Sequence, residues 1–195
     1  MISIHLKDGS VRSYDHPVTG LEIATSISTS LAKDAVAIRV NGVLTDLALG
    51  VPTGSTIEIV TKKDPEALEI LRHDAAHVLA EAVQELYTET QVTIGPAIEN
   101  GFYYDFYRQT PFTPEDLIKI EAKMHEIVKR DEKIERIEMP RNEAVEYFTS
   151  LGETFKAEII SAIPEDQIIS LYRQGNFTDL CRGPHLPSTA KLGKA

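Results

Sequence analysis

Hydrophobic and polar positions alternate from the first residues: Ile2, Ile4 and Leu6 are separated by Ser3 and His5, the period of two expected for a strand. Asp8-Gly9 supplies a turn before a second extended stretch from Val11 to Tyr14. Leu21, Ile23, Ala24, Ile27 and Leu31 then recur at helical spacing and predict one helix over 21–33. Val36 to Val40 leads into Asn41-Gly42 and on to Val43-Leu44. That dipeptide predicts a tight type I′ hairpin, because both central residues take positive φ. Ile57-Glu58-Ile59-Val60 reads as another strand. The region is therefore expected to be a small mixed sheet with a helix across it, near the lower size limit for independent folding.

The pattern changes at Thr61-Lys62-Lys63-Asp64-Pro65. Asp64 is the expected N-cap of a long helix with Pro65 in its first turn. Its apolar stripe is expected at Leu68, Leu71, Ala75, Leu79, Ala82 and Leu86. Thr113 should cap a second helix carrying Leu117, Ile120, Met124, Ile127 and Val128. A third is expected over 143–151, stopping at Gly152. Strands are read at 92–94, 102–106, 134–139, 168–173 and 177–180, with Gly175-Asn176 turning between the last two. The predicted class is α+β, with a small domain over 1–62 and a larger one over 63–195 in which a long helix packs on an antiparallel sheet.

Composition narrows the function classes. With 30 Asp+Glu against 20 Lys+Arg, the formal net charge is -10, the wrong sign for a free-standing nucleic-acid clamp. Apolar runs are too short to cross a membrane. Met1-Ile2-Ser3-Ile4 lacks the basic start of a secretory signal. One cysteine, Cys181, makes no intrachain disulfide, and a cytoplasmic location is expected.

Two constellations carry chemistry. His73 and His77 are neighbours on one helix surface at spacing i, i+4. They point roughly 160–180° away from the expected apolar stripe. Ile70 and Ala80 lie near the same face, so it reads as the wall of a cleft. The other is Asp179-Leu180-Cys181-Arg182-Gly183-Pro184-His185, where the Gly-Pro turn can bring Cys181 and His185 to one side. Together they offer donors that bind zinc or tune proton transfer. Four readings stay open on the residues: structural zinc, a metal hydrolase, a metal-free acid–base pocket, or a Cys nucleophile with a His base. A phosphate-cradling Gly-x4-Gly-Lys-Ser/Thr loop is absent.

Arg72-His73-Asp74-Ala75-Ala76-His77, Ile94-Gly95-Pro96-Ala97-Ile98, Asn100-Gly101-Phe102-Tyr103-Tyr104-Asp105-Phe106 and the Asp179–His185 stretch resemble, in order and spacing, the N-terminal half of the bacterial threonyl-tRNA synthetase family. The resemblance implies a ubiquitin-like β-grasp (TGS) domain followed by an editing domain related to that of alanyl-tRNA synthetases. It implies a ligase fragment without the aminoacylation core, so ATP, magnesium and a core zinc are expected only in the missing part. The implied activity is hydrolysis of mischarged seryl-tRNA(Thr), with the tRNA(Thr) acceptor end as partner and serine as the edited amino acid. His73, His77, Cys181, His185 and Lys156 are the implied catalytic set, with His73 at the terminal ribose hydroxyl and Lys156 beside the attacking water. Asp179 is implied for the substrate ammonium, Tyr104 and Asp105 for the wall and terminal adenosine, and Arg182 for shaping the loop. No metal is expected in the pocket; the alternatives are zinc on His73, His77, Cys181 and His185 as in alanyl-type relatives, or a non-catalytic module that binds RNA or protein. The intact enzyme is expected to be a homodimer, and the isolated chain is compatible with a monomer.

Overall fold

A computed structural model describes residues 1–193; Lys194 and Ala195, the end of the second expected domain, lie outside the described residues. Contacts divide the chain into two units, Met1–Leu71 with Gly183–Pro187, and Arg72–Arg182 with the chain from Ser188 onward. The sequence limits of 1–62 and 63–195 stay a proposal about domain boundaries.

In the first unit, β1 (Ile2–Leu6), β2 (Val11–Tyr14), α1 (Gly20–Ile27), α2 (Thr29–Asp34), β3 (Ala35–Val40), β4 (Val43–Asp46) and β5 (Thr56–Thr61) follow one another. The sheet order is β2-β1-β5-β3-β4. Strands β1 and β5 are parallel and the other neighbours antiparallel, which is the β-grasp arrangement. Ile4, Ile23, Ile38, Leu47 and Ile57 fill the core. The predicted hairpin is present: Asn41 and Gly42 have φ of 49° and 86°, and Val40 faces Val43.

Two local expectations are corrected. The helix read over 21–33 is two helices, broken at an extended Ser28. The Ser28 hydroxyl accepts from the Leu31 N–H at 3.0 Å, so it caps a new helix instead of continuing the old one. Asp64 does not cap the next helix. Its carboxylate turns back to accept from the backbone N–H and hydroxyl of Thr61, at 2.6 and 2.9 Å, and α3 starts only at Ala67 and runs to Leu86.

The second unit takes α3 from Arg72 onward. It continues through β6 (Gln91–Val92), β7 (Ala97–Ile98), β8 (Gly101–Phe102), β9 (Phe106–Tyr107), α4 (Pro114–Arg130), β10 (Ile134–Met139), α5 (Arg141–Ser150), α6 (Thr154–Ala162), β11 (Ile169–Gln174) and β12 (Phe177–Leu180). Strands β10, β11 and β12 form an antiparallel sheet in that order, while β6 pairs with β9 and β7 with β8. Thr113 and Asp116 make the capping box of α4, and Gly175-Asn176 turns β11 into β12.

The strand read over 102–106 is interrupted, because Tyr103 and Asp105 donate their N–H groups to Pro96 and Ile94. Helix α6 has no counterpart among the sequence expectations. The stripe predicted for α3 fails in part: Leu68 is 52% exposed. Ala76 and Ala80 pack with Val92, Tyr104 and Phe177, whereas Val78, Ala82 and Val83 pack with Ile120 and Ile127. The helix is enclosed on several sides, so a single apolar face does not describe it. No helix among the described residues is long and apolar enough to cross a membrane.

Candidate functional site

The site grows from a match between two periodicities. Residues 177, 179 and 181 share one side of the β12 strand and its extension. They advance about 6.8 Å per pair of residues, close to the 6.0 Å of four helical residues. Running down this side, Phe177 meets the His77 ring edge-on, Asp179 Oδ2 lies 3.6 Å from His77 Nε2, and Cys181 Sγ lies 3.0 Å from His73 Nε2. The two imidazoles sit with centroids 4.8 Å apart. The histidine pair thus faces the polar side of the strand, and His77 is buried as deeply as core residues.

Helix α6 brings in Lys156, buried along its whole side chain at 2% exposure. Its ammonium forms an ion pair with Asp179 and donates to the Thr93 carbonyl at 2.5 Å. The Asp179 carboxylate also accepts from the Tyr104 hydroxyl at 2.5 Å and the Leu180 N–H at 2.8 Å. Such a pair withstands burial only because hydrogen bonds satisfy its remaining atoms. Burial, then the Asp179 charge, holds the Tyr104 hydroxyl far above its ordinary titration range, so it stays a donor. Asp179 and Lys156, given separate tasks by the resemblance, are one buried unit here.

His73, His77, Lys156, Asp179 and Arg182 line a cavity of about 540 Å³, while Cys181 and Tyr104, the latter expected in the wall, reach it only through His73 and through Asp179 and Lys156. Thr93, Ile94, Gly95, Pro96, Ile159 and Leu180, to which the sequence assigns no role, complete the cavity wall. Gly95 has a plain steric reason: a Cβ there would lie 2.1 Å from Cδ2 of Tyr104, the ring that donates to Asp179. The motif around Ile94-Gly95-Pro96 was the signal available for this wall. Arg182 is exposed and donates to Gln167 Oε1 at 2.9 Å.

Asp105 and His185 stand farther from the expectation. Asp105 has an exposed side chain and is absent from the cavity wall. Its main chain does the visible work, its carbonyl accepting from Thr93 and its N–H donating to Ile94. His185 falls in the Gly183–Pro187 segment of the first unit, where it is buried and its backbone N–H donates to Asp46 Oδ1 at 2.7 Å. Within the second unit, ligand atoms of His73, His77 and Cys181 lie within 4.8 Å of one another, close enough for a soft or borderline metal to draw together.

Residues 2–61 match the family model of the TGS domain, and residues 169–195 match that of the threonyl and alanyl tRNA synthetase second additional domain. Fold and family models together define a TGS domain joined to the second additional domain of threonyl- and alanyl-tRNA synthetases. Over its whole length the chain corresponds to the N-terminal part of a threonyl-tRNA synthetase. It is 64% identical to the threonine–tRNA ligase of Paramagnetospirillum magneticum, with all of this chain and 31% of that protein covered. It is 60% identical to the threonine–tRNA ligase of Rhodospirillum rubrum, with all of this chain and 30% of that protein covered. For Rickettsia bellii the values are 59% identity, 97% of this chain and 30% of the relative. The chain therefore spans about a third of the length of the curated relatives it matches.

Proposed function

We propose that this chain is the proofreading part of a cytoplasmic threonine–tRNA ligase and that its second unit hydrolyses serine wrongly esterified to tRNA(Thr). The whole enzyme would join threonine to tRNA(Thr) with ATP. Serine lacks one methyl of threonine, and a binding pocket extracts only about 1–3 kcal/mol from such a difference. A second, hydrolytic site answers that shortfall.

The observation that carries the reading is the cavity itself: two imidazoles and a buried Lys–Asp pair converge on one space of about 540 Å³, with the Cys181 thiol against His73 behind them. In the proposed reaction a water oxygen attacks the ester carbonyl carbon. The Lys156 ammonium stabilises the negative charge that develops on the carbonyl oxygen. The carbon–oxygen bond to the terminal ribose then breaks, the ribose oxygen takes a proton, and serine and free tRNA leave. His73, at the open end of the pair, orients the water and the ribose hydroxyl. His77 keeps Asp179 oriented towards the substrate ammonium, which would share that carboxylate with Lys156. Cys181 tunes His73 through the 3.0 Å contact. His185 keeps its place in the set only on the resemblance.

The proximity of His73, His77 and Cys181 donors favours one second reading, a zinc-dependent hydrolase of alanyl type, in which these side chains would hold the ion and zinc would activate the water. One assay separates the readings. The chain is mixed with seryl-tRNA(Thr) and threonyl-tRNA(Thr), with and without a chelator, and both esters are followed. Selective loss of the seryl ester, insensitive to chelation and abolished by His73→Ala or Lys156→Ala, is the expected result. Equal rates on both esters would refute discrimination, and loss of activity on chelation would move the reading to zinc. With a net charge of -10, the chain alone should bind tRNA weakly at physiological salt.

A further inference from the structure

Glu153 stands at the N-cap position of α6, yet its side chain makes no capping bond to that helix. An acid there ordinarily accepts from the N–H groups of its own first turn. This one is buried and points elsewhere. Its Oε2 accepts from the Val92 N–H at 3.0 Å, and its Oε1 accepts from the Gln84 amide. In return Gln91 Oε1 accepts from the backbone N–H and hydroxyl of Thr154, at 3.2 and 2.9 Å. Two neighbouring residues of β6 and two at the start of α6 therefore grip one another reciprocally, side chain to main chain in both directions.

The grip has a consequence at the cavity. Thr93 follows Val92 directly, and its carbonyl is the acceptor for Lys156. Lys156 follows Glu153 by nearly one helical turn. Gln84 belongs to α3, two turns beyond His77. One carboxylate thus ties together the three elements that carry His77, the Thr93 carbonyl and Lys156. Burial raises the Glu153 carboxyl above its ordinary value, with the Val92 N–H and the Lys156 charge opposing the rise.

We infer that Glu153 is a positioning residue, which through Val92 and α6 fixes the Lys156 ammonium against the Thr93 carbonyl and aims it at the reacting carbonyl of the bound ester. The catalytic part of this rests on the proposed esterase reading; the geometric part does not. A misplacement of about 1 Å in a catalytic group costs on the order of 10²-fold in rate.

The test uses the whole chain with Glu153→Ala, Glu153→Gln and Gln91→Ala, each checked for folding by circular dichroism. Glu153→Ala should lower kcat on seryl-tRNA(Thr) roughly 10- to 100-fold with KM nearly unchanged. Glu153→Gln keeps an oxygen for the Val92 N–H and should recover most of the loss, with Gln91→Ala falling between. An independent readout is the ammonium signal of Lys156 in ¹H–¹⁵N NMR, slow to exchange in the parent and in Glu153→Gln but lost in Glu153→Ala. A folded Glu153→Ala protein with unchanged kcat and an unchanged Lys156 signal would overturn the inference. If Glu153→Ala does not fold, Gln91→Ala decides by the same two readouts. A parent protein that cleaves neither ester would defeat the esterase reading alone, and the NMR comparison would still decide the role of Glu153.

Discussion

The two units solve the burial problem differently. The first encloses Ile4, Ile23, Ile38, Leu47 and Ile57, buries Asp46 and His185 beside them, and keeps pairs such as Lys7 with Glu58 at the surface. The second buries His77, Glu81, Glu153, Lys156 and Asp179 alongside its apolar clusters. Each buried ionisable group carries a desolvation cost that only exact pairing and hydrogen bonding offset. A domain that served structure alone would gain from replacing them with hydrocarbon. The contrast teaches where polar groups gather: the β-grasp core is mainly hydrocarbon, while the second unit holds His77, Lys156 and Asp179 at a free-energy cost where they line a cavity.

The largest expected effect breaks that contrast at its centre. Asp179→Ala leaves the Lys156 ammonium buried without its carboxylate and should cost about 3–5 kcal/mol of stability together with ester hydrolysis. Ile38→Ala, in the first unit, should cost a comparable amount, about 2–5 kcal/mol, yet leave the hydrolysis rate of the folded protein unchanged. Denaturant unfolding and the ester assay on both variants check this. A loss of hydrolysis in the folded Ile38→Ala protein would erase the distinction.

A smaller effect is a dependence on pH. Burial pushes the Glu81 carboxyl up from 4.5 to about 8; the Gln174 amide, donating at 2.7 Å, opposes the shift, and the nearby Glu132 and Glu85 add to it. The folded chain then keeps a proton that the unfolded chain has released. Stability should be greatest below pH 4.5 as far as this group is concerned. It should decline by up to about 1.4 kcal/mol per unit as pH rises towards 8, and then level off. Glu81→Gln should remove that part of the slope, measured by unfolding at several pH values; identical slopes in both proteins would contradict it. The smallest expected effect is Lys7→Ala at the exposed pair with Glu58, within about 1 kcal/mol, by thermal unfolding in low and high salt.

Much of this was legible from residue order. Alternation at Ile2, Ile4 and Leu6 and the Asn41-Gly42 turn located the β-grasp strands, because strand faces and positive φ are local requirements. His73 and His77 announced a shared helix surface for the same reason, and the Asp179–Cys181 stretch announced a second polar group. Other features were not legible. Ser28 breaks a helix that spacing alone would continue, since its hydroxyl competes for the Leu31 N–H. Asp64 looked like a helix cap but bonds back to Thr61. Lys156 resembled any surface lysine, and nothing near it in the chain foretold α6.

Local pattern determined, by itself, most of the strands and helices, the Asn41-Gly42 and Gly175-Asn176 turns, and which residues carry imidazole, thiol and carboxylate chemistry. Those properties depend on φ/ψ preference and on side chains a few positions apart. Only the tertiary structure decided that Asp179 and Lys156 form one buried pair, that Gly95 lies against the Tyr104 ring, and that Glu153 reaches α3 and β6. Each of these joins residues that are not local neighbours in the chain, and the strength of an electrostatic contact depends on the burial that only the assembled fold creates.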